Sequence, residues 1–179
     1  WWFNTLDGRG PLSLRQGLQE HCDTLRYVAA TKKPFEANVP HHFSFRGGDD
    51  ITYIVSGVLA ARLARRAGVR QFVLQAMLNT PRTVTGIADL VKTRVLLRMV
   101  RQLEDGDFRV FFQPRAGLDY FSPHLDRAKA QLAAVTALMV DIDPGGVPDI
   151  IHVVSYSEAN FLATPAVVND SIRITRAAL

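Results

Sequence analysis

The sequence predicts an α/β protein built of parallel strand–loop–helix units, amounting to about half of a TIM-type (β/α)8 barrel. Three observations predict it. An apolar run followed by a polar loop and an amphipathic helix recurs four times, with Phe35, Phe72, Val110 and Ile151 in equivalent places. The runs FVL, VFF and DIIHVV lack clean alternation, as expected of strands buried on both faces of a parallel sheet. The loop after each run is longer and richer in functional groups than the loop before it, the arrangement that α/β enzymes use for active sites. A small doubly wound sheet is the alternative, but no GxGxxG follows any run, which lowers the dinucleotide-binding version of that fold.

In chain order, residues 1–33 are a lead-in and an N-terminal helix, and residues 34–179 carry the four units of a single domain. Ser13 is placed to cap a helix reaching about Ala30, with Leu14, Leu18, Leu25 and Val28 as its spaced apolar positions. Residues 35–45 are expected to be extended, with Pro40 inside them. Asp49 or Asp50 then caps a helix over 51–67, which Gly68 terminates. The second unit has a strand at 70–74, a loop at 75–86 and a helix at 87–103. The third has a strand at 108–112, a loop at 113–123 beginning with the turn QPRAG, and a helix at 125–140. The fourth has a strand at 149–154, a loop at 155–165, and a last helix entered through the cap Thr164 and Pro165.

Composition bounds the function. At 179 residues, 47% hydrophobic and 21% charged, the chain is long enough for one cored domain and too apolar to be disordered. Its apolar stretches are broken by charges well before the roughly 18 residues of a membrane span. The net charge of +4 is concentrated in Arg62, Arg65, Arg66 and Arg70, where it complements a helix C-terminus. No aromatic-rich basic patch suggests nucleic acid. With a single cysteine, Cys22, and no leader pattern, a cytoplasmic location is expected. The chain reads as a piece of a longer polypeptide that needs the remainder, or a partner, to cover open sheet edges.

The candidate chemistry lies in the four loops. Arg46, Arg82 and Arg115, one on each of three loops, suggest a small anionic substrate held by planar bidentate donors, with Asn79 and Gln113 as further polar contacts. Glu158 is the lone glutamate of the loops and could bind an amine or act as a base; Tyr156 could orient the substrate or line a dry cavity. Glu158 and Tyr156 are therefore the candidate catalytic residues. His41 and His42 on an extended chain would point to opposite faces, and no HExxH or CxxC accompanies them, so no metal site is expected. His152 lies inside a strand and is expected to pack in the core or the barrel interior. Neither GxSxG nor a Walker loop is present.

The run Phe112-Gln113-Pro114-Arg115-Ala116-Gly117, a helix, then Pro148-Asp149-Ile150-Ile151 and Ser155-Tyr156, resembles the large subunit of glutamate mutase (methylaspartate mutase) over about residues 109–178. The resemblance implies an isomerase: an adenosylcobalamin-dependent radical rearrangement of an amino acid or related small acid at the mouth of a TIM barrel. It also implies that the cofactor is held mainly by a separate cobalamin-binding domain or subunit, with Gly117 and Ser155, inside the matching runs, on the cofactor side. Two departures stand out. Where that family carries an arginine just after the Ser-Tyr pair this chain has Glu158, and the cobalamin signature DxHxxG is absent. The competing expectations are a cobalamin-independent TIM-barrel lyase or aldolase acting on an anionic small molecule, and a non-catalytic half-barrel subunit.

Overall fold

The structure, a computed structural model, describes residues 5–6, 8–45 and 47–179. Helices α1 (Leu14–Thr31), α2 (Val39–Phe45), α3 (Asp50–Arg66), α4 (Gly86–Arg101), α5 (Leu125–Val140) and α6 (Pro165–Ala178) and strands β1 (Phe35–Ala37), β2 (Gln71–Leu78) and β3 (Arg109–Ala116) follow in the order α1-β1-α2-α3-β2-α4-β3-α5-α6. The strands form one parallel sheet in the order β1-β2-β3, so each is hydrogen-bonded to its neighbour in the chain.

Most helix starts are where their caps place them. Ser13 and Gln16 form a reciprocal capping box at α1. The Asp49 carboxylate accepts the Thr52 N–H at 2.7 Å, and Thr85 and Thr164 cap α4 and α6 in the same way. Beyond α3 the chain turns at Gly68 with φ +93°, a conformation that favours glycine.

The sheet has two unlike faces. Phe72, Leu74, Ala76 and Leu78 of β2 and Val110, Phe112 and Ala116 of β3 join one continuous core with Ala61, Leu96, Leu132 and Met139 of the helices. Fully burying each large side chain there contributes about 1.5–3 kcal/mol. Phe72 anchors that core, with its ring centroid 6.2 Å from Phe35 and 5.9 Å from Phe108. The alternate residues, Val73, Gln75 and Met77 on β2 and Phe111, Gln113 and Arg115 on β3, lie outside this core, on the sheet's other face.

Three expectations are corrected. Residues 39–45 are helical, not extended, because Pro40 falls in the first turn of α2, where its missing N–H costs nothing. His41 and His42 therefore share a helix, and the opposite-faces argument for them does not apply. Second, β2 and β3 run further than expected: Gln75 and the whole of QPRA are strand, so the loops begin at Asn79 and Gly117. Pro114 is tolerated inside β3 because its polar side faces away from β2; its carbonyl accepts from the His152 N–H at 3.2 Å.

The third correction follows from the second. The segment at 149–154 lies parallel beside β3, but only as an isolated bridge pairing Arg115 with His152. The Ile150 N–H donates to the Phe112 carbonyl at 3.1 Å. The ladder stops there for two reasons. Pro114 has no N–H to donate, and the Phe112 N–H is taken by the Asp149 carboxylate at 2.8 Å instead of a backbone carbonyl. Among the described residues no helix is long and apolar enough to cross a membrane.

Candidate functional site

The face of the sheet turned away from the core cluster carries a row of polar side chains in register. Gln75 and Gln113 are paired across β2 and β3, and Glu36 lies on the adjoining strand. The Gln75 Nε2 donates to one oxygen of Glu36 at 2.6 Å and the Gln113 Nε2 donates to the other at 2.9 Å. Each carboxylate oxygen thus has its own amide donor, and the acid is held in one orientation.

One step further along the strands, Arg115 is half-buried and differently placed. Its Nε donates to the Ala116 carbonyl at 3.3 Å, and among the described residues it forms no ion pair. Burial lowers its pKa, while the negative charges of Glu158 and then Glu36 act in the opposite sense. An arginine remains cationic through such a shift. The group is therefore a partly desolvated cation with most of its donor fork unused. His152, its bridge partner, has its pKa lowered first by burial and next by the Arg115 charge, with Glu36 and Glu158 opposing. It is neutral at pH 7. Glu158 is exposed and lies within electrostatic reach of both.

The structure brings Gln113, Arg115 and Glu158 into one neighbourhood, and it adds Glu36, Gln75 and His152. It does not bring Tyr156 there. That ring belongs to the core, its hydroxyl donates to Asp170 of α6 at 3.2 Å, and Lys129 of α5 lies 5.3 Å above it. Its neighbour Ser155 is buried, with its hydroxyl 3.3 Å from that of Ser157. Arg82 is exposed on the loop after β2. Arg46 lies outside the described residues. Gly117 donates its N–H to the Leu78 carbonyl at 2.8 Å, and a Cβ there would overlap Thr80 Oγ1. It is required for the close approach of two loops.

Asn79 belongs to a second cluster, on the helix side. With φ +60° it turns the chain out of β2, and its N–H donates to Asp89 Oδ2 at 2.5 Å. Asp89 is fully buried and Lys92 nearly so; Lys92 Nζ lies 2.9 Å from Asp89, 3.4 Å from the Thr80 carbonyl, 3.6 Å from Asp50 and 5.0 Å over the Tyr53 ring. Burial pushes the Asp89 carboxyl up, against the pull of the Asn79 amide and Lys92. Burial, followed by the Asp89 charge, pushes the Tyr53 hydroxyl well above its ordinary range.

Glu36 is the member of the polar face that the sequence does not single out, while Gln75 is expected in the loop and lies in the strand. A signal for Glu36 was available: it is a polar residue inside an otherwise apolar strand run, at the alternate position. Asp89 and Lys92 gave none, since opposite charges three apart on a helix ordinarily form a solvated pair. Among the described residues no group of three or more His, Cys, Asp or Glu is placed to hold a metal ion.

The fold and the site define a parallel α/β unit in which an under-used cation, Arg115, shares a neighbourhood with one fixed carboxylate, Glu36, and one exposed carboxylate, Glu158. No known family model matches the chain, and no curated protein matches it.

Proposed function

We propose that the chain is part of a (β/α)8 barrel enzyme that binds a small carboxylic acid at the polar face of its sheet, with Arg115 holding the carboxylate. The observation that carries this reading is the Arg115 guanidinium, half-buried and without a carboxylate partner among the described residues. A desolvated cation of this kind is costly unless a ligand completes it, and a planar fork is suited to a carboxylate. The barrel reading is supported by the sequential parallel order of the strands, which the segment at Ile150 and His152 continues. Closure of such a sheet would turn the polar face into a lined interior.

Glu158 would take the substrate's amine or a proton, and the Glu36 carboxylate, fixed by Gln75 and Gln113, would orient a polar substituent. His152, neutral at pH 7, is available as a donor or acceptor beside the bound group. Arg82, on the loop after β2, is a further anion contact at the same edge.

The resemblance to glutamate mutase extends the proposal to a cobalamin-dependent rearrangement of an amino acid or related acid. The residues expected on the cofactor side do not fit a cradle for adenosylcobalamin. Gly117 is packed against Thr80 and the Leu78 carbonyl, and Ser155 is buried against Ser157. The cofactor is therefore assigned to a separate cobalamin-binding domain or subunit.

The test is calorimetric titration of small mono- and dicarboxylic acids and amino acids, with Arg115→Ala and Arg115→Lys alongside. Binding by the parent protein that Arg115→Ala abolishes and Arg115→Lys restores in part is the expected result. Undiminished binding by Arg115→Ala would end the reading. The cofactor half is tested separately, by the cob(II)alamin spin-resonance signal of the protein combined with adenosylcobalamin and its partner subunit. Acid binding without that signal leaves the carboxylate site standing and favours a cobalamin-independent lyase.

A further inference from the structure

The neighbourhood of Arg115 holds more negative charge than its guanidinium can offset. Among the described residues, Glu158 and Glu36 are the charged side chains that act on Arg115, and the same three groups act on His152; the exposed Arg82 acts on neither. With His152 neutral, two carboxylates stand against one cation. A plain carboxylate bound at Arg115 would add a third negative charge, and a dicarboxylate a fourth. Each like charge brought close to another in a partly dry site opposes binding.

Glu36 is the acid built to receive a counter-charge. The Gln75 and Gln113 amides both turn their nitrogens to it, at 2.6 and 2.9 Å, which fixes the group as an acceptor. A carboxylate has about four lone-pair sites, so each oxygen keeps one after its amide is served. Glu36 is exposed, and a ligand can reach those sites. The row of Gln75 and Gln113 lies two residues along the strands from Arg115, roughly 6.6 Å at the rise of a parallel strand. One step deeper the same face turns apolar, with Val73 and Phe111 in register. A second charge on the ligand therefore finds its partner at Glu36 and nowhere below it.

Building on the carboxylate reading of Arg115, we propose that the ligand is a monocarboxylic acid with an ammonium group at its far end, the carboxylate on Arg115 and the ammonium on Glu36. About four carbon atoms between the two charged groups match the spacing of roughly 6.6 Å between the rows. The ammonium brings the charges of ligand and site closer to balance, which a plain acid or a dicarboxylate does not. An α-ammonium stays beside its own carboxylate and does not reach the amide row. Glu158, on the loop, is then left for the α position of the ligand or for a proton.

The test is calorimetric titration of the parent protein with acids that share a four-carbon stem beyond the carboxylate: 5-aminopentanoate, its isomer 2-aminopentanoate, pentanoate and hexanedioate. The 5-amino acid is expected to bind at least about tenfold more tightly than pentanoate or the 2-amino isomer, with hexanedioate the weakest. Glu36→Gln, which removes the charge and keeps the size, should bring 5-aminopentanoate to the level of pentanoate and strengthen hexanedioate. Circular dichroism checks that the variant is folded, and the ranking by the parent protein stands without it. Equal binding of pentanoate and 5-aminopentanoate, tightest binding of hexanedioate, or a ranking unchanged by Glu36→Gln overturns the proposal while leaving the carboxylate site in place. No binding of any of these acids, or binding untouched by Arg115→Ala, ends the carboxylate reading itself and this proposal with it.

Discussion

Two acid–base clusters flank the same pair of strands, and they treat their charges in opposite ways. On the helix side, Lys92 is enclosed by Asp89, the Thr80 carbonyl, Asp50 and the Tyr53 ring. On the other side, Arg115 makes a single hydrogen bond among the described residues, to a backbone carbonyl. Both cations are partly or wholly removed from water. Only one has been given partners in return. A cation that is completed by its own chain is a structural clasp; one that is left incomplete is, on the function proposed above, a place for a ligand.

The largest effect that this contrast predicts is on stability at the clasp. Lys92→Met strands Asp89 in the core and should cost about 3–5 kcal/mol in chemical denaturation. Adding Asp89→Leu should recover much of that loss, because the buried charge is then gone. Gly117→Ala comes next, at about 1–3 kcal/mol, since a Cβ must displace Thr80 and crowd the Leu78 carbonyl. Arg115→Ala should leave the denaturation midpoint nearly unchanged, within about 0.5 kcal/mol, while abolishing carboxylate binding. If it destabilises as much as Lys92→Met, the two clusters are alike and the distinction fails.

The smallest effect is on pH dependence. His152 has a lowered pKa in the folded protein and an ordinary one, about 6.5, when unfolded. Between those two values the unfolded chain binds more protons, so stability rises with pH. The contribution is complete above about pH 6.5 and is lost as the pH falls through that region. His152→Gln should flatten the melting temperature against pH between 7 and 5. His21, also lowered chiefly by burial, keeps part of the slope. A carboxylate bound beside His152 favours the imidazolium, so binding should take up a proton and tighten as the pH falls.

The helices other than α2 were legible because their signals are local. Ser13 with Gln16, Asp49, Thr85 and Thr164 each make the hydrogen bond that their residue type and position suggest. The strand limits were not legible, because pairing decides them. QPRA contains a proline and reads as a turn, yet it is held in β3 by the eight-residue partner β2, and the missing N–H falls on the side away from that partner. The same fact explains why 149–154 reads as a strand and is only bridged. Of the expected site, Glu158 lies within electrostatic reach of Arg115, and Arg115 and Gln113 share the polar face. Tyr156 does not, because a strand leaving the sheet can turn its next aromatic ring toward the helices, and no periodicity in SYSE records that choice.

The seam between β3 and the segment at Ile150 and His152 also sets how wide the candidate site can open. Its two jaws, the guanidinium of Arg115 and the imidazole of His152, stand on backbones joined by only two amide hydrogen bonds and the Asp149 carboxylate. Elsewhere in the sheet a full ladder fixes such spacings to a fraction of an ångström. Here fewer bonds hold the spacing, so under the proposed function a ligand of somewhat different length would be accommodated by parting the seam rather than by disturbing the core beneath it.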